Sequence, residues 1–419
     1  MKNFMSRLIL GCLYVLAGIV AAPLIHAKEA PPSPDALLAS LDADVRKSME
    51  ESHIVGLSAA IVKDGEVRWA QGFGRANLAR GLDVTADTVF VIASSSKVVV
   101  AAALMKAVED GRLCLDQDVN EVLPFRVRNP QFAQIPITPR SLATHRSGII
   151  DNEAIYSSAI SYNFGGDHPT PLGVFLKDYL VAGGKHYDAG KNFASAKRGI
   201  HFEYSNIGAG LLGFTIESAV KQSFEQYTKD NIFEPLGMTS TGWHMRDVDM
   251  SRHAVPYMYK DGLYHAYQHF GLATYPDGGL RTTSKDFGRF LAMVMQEGSL
   301  DGRAVLAPKL VRLMLSRQAP DEVAAAEKEL PRLQGLIWRQ STSKDGRFTY
   351  WWHTGGDPGT TSLIAFDLTK RIGVVLLMNS ETTEAINETM TQLRTRMFET
   401  AMRMPARQYL DPTLAKSAL

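Results

Sequence analysis

Ser94 and Lys97 stand three residues apart, and the apolar run from Val98 to Met105 follows them directly. On a helix, positions i and i+3 share a face with Cβ atoms ~5–6 Å apart, so an amine at one can reach a hydroxyl at the other. A serine hydroxyl is a weak nucleophile until a neighbouring base takes its proton, and a buried lysine whose neutral form is favoured can be that base. The chain has three S-x-x-K spacings, beginning at Ser94, Ser218 and Ser341, and spacing alone does not choose among them. Ser341 comes in a polar turn before Asp345-Gly346 and Ser218 falls in an amphipathic helical stretch, which predicts solvated surface for both. Ser94 instead lies where the β-run Thr88 to Ile92 meets an all-apolar helix closed by Gly111. A helix apolar all round is buried, and its N-terminus favours negative charge developing on a nearby oxygen. The competing structural role makes Ser94 a helix cap and Lys97 a surface lysine.

Two further motifs follow in order. Tyr204-Ser205-Asn206 comes downstream, and His353-Thr354-Gly355-Gly356 comes later still, beside an aromatic run. The ordered set S-x-x-K, Y-x-N and H-T-G resembles the penicillin-recognising serine hydrolases: the class C β-lactamases, the D-alanyl-D-alanine carboxypeptidases and the β-lactamase-fold esterases. Gly56-Leu57-Ser58, Lys63-Asp64-Gly65, the segment from Ile137 to Gly148, Pro235-Leu236-Gly237-Met238 and Asp277-Gly278-Gly279-Leu280 extend the likeness over nearly all of the mature chain.

The resemblance implies an acyl-enzyme on Ser94, with Lys97 and Tyr204 sharing the general base and acid roles. Asn206 would bond the amide side of a substrate and orient Lys97. The third motif, His353, Thr354, Gly355 and Gly356, would line the cleft on an edge strand. The backbone N–H groups of Ser94 and Gly356 would form the oxyanion hole, each such donor being worth ~3 kcal/mol of barrier. Glycine at 355 and 356 leaves room for close approach. Against the class A pattern of S-D-N and K-T-G, Tyr204 replaces a serine and His353 a lysine. The tyrosine implies deacylation through Tyr204 rather than a glutamate. The imidazole, with an unperturbed pKa near ~6.5, implies a weaker, pH-dependent anchor for a substrate carboxylate. H-T-G is closer to the carboxypeptidase and peptidase members, so efficient penicillin hydrolysis is not expected.

The elements that must position these residues come from both chain ends. Leu57 to Phe73 reads as two β-runs around the turn Lys63-Asp64-Gly65. Thr349 to His353, Thr361 to Asp367 and Ile372 to Asn379 read as three more, and Thr382 to Met402 has helical spacing. The expected fold is α/β (α+β): an antiparallel sheet flanked by helices and built from both chain ends, with an inserted, mainly helical lobe. The boundaries expected are a signal peptide over 1–27, an α/β lobe over about 35–105 and 276–419, and a helical lobe over about 106–275. The stretches Asp151 to Lys191 and Met245 to Tyr275 are the expected cleft loops. Gly56-Leu57-Ser58-Ala59-Ala60 misses the G-x-S-x-G elbow at its last position, which disfavours an α/β-hydrolase.

Composition limits the partners. With 45 basic and 44 acidic side chains the formal charge is +1, which leaves no electrostatic footprint for nucleic acid or an anionic membrane. A small molecule or peptide is the expected partner. Lys2, Arg7 and the apolar stretch Leu8 to Ala22 have the layout of a cleavable export signal, which predicts a periplasmic or secreted protein without an integral membrane domain. A lipid anchor at Cys12 is the weaker reading, because only about four apolar residues separate it from Arg7. Cys114, between Leu113 and Leu115, reads as packing. His145, His186 and His269 show no metal-ligand spacing, so no metal or cofactor is expected. Trp351 and Trp352 point to opposite faces of one strand, one to the core and one toward the cleft.

Three functions fit these readings: hydrolysis of a D-amino-acid or wall-derived peptide or a small ester, a penicillin sensor that acylates without turnover, and an acyltransferase or esterase unrelated to the wall.

Overall fold

Asp64 and Gly65 both have positive φ, 53° and 80°. That pair is the two-residue turn whose twist suits antiparallel strands. It joins β1 (Gly56–Lys63) to β2 (Glu66–Asn77), with Lys63 opposite Glu66. The computed structural model describes residues 33–195, 202–318 and 333–405 of the chain. The N-terminal segment read above as an export signal, with Cys12, lies outside the described residues. The described residues from Pro34 onward form one compact unit.

The remaining strands of the main sheet are β3 (Leu82–Asp83), β4 (Leu333–Gln334), β5 (Arg339–Thr342), β6 (Thr349–Asp357), β7 (Thr360–Asp367) and β8 (Ile372–Met378). Their order is β4-β5-β6-β7-β8-β1-β2-β3, antiparallel throughout. The central pairing of β8 with β1, Leu57 opposite Met378, closes the two chain ends into one sheet. Three late β-runs were legible in the sequence; β4 and β5 were not, because each is short and without strict alternation. Ser341, expected in a polar turn, is in β5, where its Oγ accepts the Trp352 indole N–H at 2.9 Å.

Side chains alternate across this sheet, yet both faces are apolar because both are covered. Leu57, Ala59, Ile61, Leu376 and Met378 pack in one core with Leu41, Val45, Leu393 and Met397, from α1 (Pro34–Glu51) and the C-terminal helix Glu384–Arg403. Ala60, Val62, Val375 and Leu377 face the other core. It holds α2 (Lys97–Glu109), α3 (Asn206–Val220) and α4 (Ser284–Met295).

Between the two sheet-forming segments the chain is mainly helical, with small two-stranded ribbons such as Tyr162–Phe164 paired with Phe270–Leu272. The all-apolar helix read after Ser94 is α2, buried from Lys97 through Met105.

Trp351 is in the core, while Trp352 is half-buried and holds the Arg339 guanidinium 5.6 Å from its ring. Neither indole lines the cleft in front of Ser94 described below. Cys114 corrects the packing expectation: Leu113 and Leu115 turn inward, and the thiol between them is free and exposed.

Candidate active site

Ala93 adopts φ 48°, in the left-handed region that costs a residue with a Cβ. It begins a short 3₁₀ turn, Ala93–Ser96, that delivers the chain into α2. Of the turn's three serines, two are structural. Ser95 Oγ is 2.8 Å from Ser362 Oγ on β7, and Ser96 Oγ donates to the Ala93 carbonyl at 2.6 Å while accepting from the Leu280 N–H at 3.1 Å. Both are buried, and Ser94 alone reaches the cleft.

Lys97 is fully buried, and its Nζ has three partners: Ser94 Oγ at 2.9 Å, Asn206 Oδ1 at 2.7 Å and the Asp277 backbone carbonyl at 2.6 Å. A carbonyl oxygen can only accept. Of the three partners, only the Ser94 hydroxyl has a proton it could give to Nζ. The amide of Asn206 is oriented from behind, its Nδ2 donating to Asp151 Oδ2 at 2.8 Å, which leaves its second N–H for a ligand.

The Asp151 carboxylate also accepts from Ser205 Oγ and from the backbone N–H groups of Asn206 and Ile207 at 2.9–3.0 Å, satisfying the first turn of α3. Burial lifts its carboxyl above the ordinary value, against the bonds that hold the charged form.

Tyr204 precedes the cap residue Ser205, and its ring centroid lies 5.0 Å from Lys97 Nζ and 5.4 Å from the Arg339 guanidinium. Two imidazoles flank it, His145 at 4.4 Å and His353 at 6.5 Å between ring centroids. Burial holds both well below the usual imidazole range, and the positive charges of Lys97 and Arg339 push the same way. His353 Nδ1 donates to the Thr354 carbonyl at 2.7 Å, and His353 is not among the residues lining the cleft. Its burial and the lowered imidazole pKa both disfavour a charged anchor for a substrate carboxylate at that position.

The third motif runs along β6, but not on a fully open edge. β5 pairs with Thr349 to Trp352 only, so His353 to Asp357 has β7 on one side and no strand on the other among the described residues. Gly355 backs directly onto the turn that carries Ser94. A Cβ there would stand 2.3 Å from the Ile92 carbonyl oxygen and 2.9 Å from Ser94 N.

The cleft in front of Ser94 has a volume of about 630 Å³ and is bordered by Tyr156, Tyr162 and Phe164 on one side and by Thr354 to Pro358, at the end of β6, on another. The first of the expected loops contributes; the second, Met245 to Tyr275, does not line the cleft. Glu381, Thr382, Asn387 and Met390 do, a contribution the sequence did not signal. The other two S-x-x-K spacings bring no serine and lysine into hydrogen bonding among the described residues. Among the described residues no group of three or more His, Cys, Asp or Glu side chains is arranged to hold a metal ion, and no helix is long and apolar enough to cross a membrane.

The Beta-lactamase family model matches residues 41–396. The chain belongs to the Beta-lactamase family. It shares the family's serine-hydrolase fold with an octameric penicillin-binding protein homologue from Pyrococcus abyssi, at 27% identity and TM-score 0.67 over 85% of this chain and 76% of that one. The D-alanine carboxypeptidase AmpC from Burkholderia cenocepacia aligns at 25% identity and TM-score 0.64, over 88% of this chain and all of that one, 100%. Protein flp of Staphylococcus aureus (strain MRSA252) is 28% identical over 217 residues, which are 52% of this chain and 40% of that protein. The matched region thus spans well under half the length of that curated relative.

Within this β-lactamase-family site, the residues that sequence reasoning missed are Asp151, Asp277 as a carbonyl partner of Lys97, Asp357, and the strained Ala93. The D-G-G-L run marked Asp277 only as part of a likeness. Asp151 carried no local signal, because it meets α3 from a loop 55 residues upstream of Asn206.

Proposed function

We propose that this chain is an exported acyl-enzyme hydrolase that opens an ester or amide with Ser94, its substrate a D-amino-acid-containing or wall-derived peptide or a small ester. The observation that carries the reading is the 2.9 Å contact between Lys97 Nζ and Ser94 Oγ, with both other Lys97 contacts made to carbonyl oxygens.

In this reading the Ser94 proton moves to Lys97 as Oγ bonds to the substrate carbonyl carbon. Backbone N–H groups of Ser94 and Gly356 hold the resulting oxyanion. The bond to the leaving group then breaks, and the proton carried by Lys97, relayed through Tyr204, goes to that group. Water then bonds to the acyl carbon as its proton passes to Tyr204 and Lys97; the bond from that carbon to Ser94 Oγ breaks, Oγ takes the proton back, and the acid leaves. The D-alanine carboxypeptidase among the relatives supports a peptide substrate. The neutral, buried His353 argues against tight capture of a carboxylate by the third motif.

The test is intact-protein mass spectrometry after brief exposure to an activated ester and, separately, a penicillin, with Ser94→Ala as control. A transient adduct on Ser94 that decays with product release supports the hydrolase. A permanent adduct replaces it with the sensor reading. Full turnover by Ser94→Ala removes Ser94 as nucleophile.

A further inference from the structure

Asp357 lies on the same face of β6 as His353 and Gly355, four and two residues away along a strand whose side-chain period is two. Its place is therefore beside the nucleophile's turn. Gly278 confirms how close: a Cβ there would stand 3.1 Å from Asp357 Oδ2 and 3.7 Å from the Ala93 carbonyl carbon. One carboxylate oxygen is occupied, since Tyr162 donates its phenol O–H to Asp357 Oδ1 at 2.7 Å. That bond holds the carboxylate in place and leaves Oδ2.

Around it the wall is aromatic. Tyr162 meets Tyr156 edge-on, with centroids 6.2 Å apart, and stacks on Phe164 at 6.1 Å. All three rings border the cleft. A fixed carboxylate beside aromatic rings is the chemistry that recognises an ammonium group.

The charge balance points the same way. Asp357 and Glu381 both line the cleft, and among the described lining residues there is no Lys, Arg or His. Burial pushes the Asp357 carboxyl up to about 6, with the Tyr162 hydrogen bond and Lys97 acting against that rise, so it is still largely ionised at neutral pH.

We infer that the cleft selects acyl donors whose acyl half carries a protonated amine near the scissile carbonyl, with Asp357 as its partner and the Tyr156, Tyr162 and Phe164 rings as its frame. The inference rests on the acyl-enzyme reading and narrows it to substrates recognised by a free amino end. The acyl half is the relevant one because Asp357 directly follows Gly356, whose N–H is assigned to the oxyanion.

The test compares glycyl, D-alanyl and L-alanyl p-nitroanilides, each with a free amine and with an N-acetyl cap, on the full chain near neutral pH. The expected result is a free-over-capped preference in kcat/KM of about 10- to 100-fold, the worth of one hydrogen bond to a charged group. In Asp357→Asn that ratio falls toward one, and in Asp357→Glu it partly returns. Because the ratio is taken within each variant, a general loss of activity does not move it. On the unmodified protein, a small alkylammonium ion should inhibit hydrolysis of a neutral activated ester, and the carboxylate of equal length should not.

Equal turnover of free and capped substrates, a preference that survives Asp357→Asn, or stronger inhibition by the carboxylate overturns the inference. So does turnover of no anilide by a protein whose Ser94 is still acylated by the neutral ester, which leaves the hydrolase reading standing. Failure of every reagent to acylate Ser94 sinks both.

Discussion

The Asp151 carboxylate holds Asn206 twice, accepting from its backbone N–H at 2.9 Å and from its side-chain Nδ2 at 2.8 Å. One acidic group thereby caps α3 and points the Asn206 carbonyl oxygen at Lys97, so helix stability and the placing of Asn206 against Lys97 depend on the same side chain.

Replacing Asp151 by Ala should lower unfolding free energy by about 1–2 kcal/mol, the scale of a lost N-terminal cap, and slow acylation as the Asn206 amide loses its orientation. Chemical denaturation and single-turnover acylation measure the two effects. Unchanged acylation in a destabilised protein would reduce Asp151 to a cap.

Gly355 and Gly356 should respond differently to alanine. At Gly355 the new methyl meets backbone, 2.3 Å from the Ile92 oxygen and 2.9 Å from Ser94 N, whereas at Gly356 its closest neighbour is the Thr382 hydroxyl at 2.6 Å, a side-chain end. Gly355→Ala is expected to cost about 1–3 kcal/mol or more by overpacking and to displace the nucleophile. Gly356→Ala should be the milder change in thermal melting. Equal melting temperatures for the two variants would contradict the close approach of β6 to the serine turn.

Tyr204→Phe keeps the ring that packs 4.4 Å from His145 and 5.0 Å from Lys97 and removes only the hydroxyl. Turnover of a chromogenic ester should fall by ~100- to 10,000-fold, as for a lost acid–base group, with little change in melting temperature. A rate within a fewfold of the parent would take Tyr204 out of the proton route.

Asp277 supplies a pH signature. Its fully buried carboxyl is pushed up to about 7 from an ordinary 3.8, chiefly by burial, and accepts from the Tyr156 phenol at 3.2 Å. Between those two values the unfolded chain has lost this proton and the folded chain keeps it, so the group's contribution to stability is complete at low pH. It is lost as pH rises from near 3.8 toward 7, at up to about 1.4 kcal/mol per pH unit. Asp277→Asn mimics the protonated acid. Its stability relative to the parent should climb across that window and level off above it, as read by denaturation at several pH values. A flat difference would mean that Asp277 is ionised in the folded protein throughout.

Much of this was legible along the chain. Strand β1 and its turn, the late strands and the buried helix after Ser94 follow from local periodicity and from turn residues that allow positive φ, since each depends only on near neighbours in sequence. The same holds for the three motifs, which are contiguous. The short strands β4 and β5 had too few residues for any period to show. Cys114 was misread because two buried leucines beside it say nothing about which way the residue between them points.

The sequence by itself determined the family, the antiparallel α/β class and the pairing of Ser94 with Lys97, because these are written in short-range patterns and in one ordered motif set. Only the tertiary structure decided what completes the site. The Asp277 carbonyl answers Lys97 from 180 positions away, Asp151 turns the Asn206 amide, and Tyr162 steadies Asp357 across 195 positions. Such contacts are set by how the sheet and the helical segment pack around the cleft, and no local pattern encodes a hydrogen bond between residues that packing alone brings together.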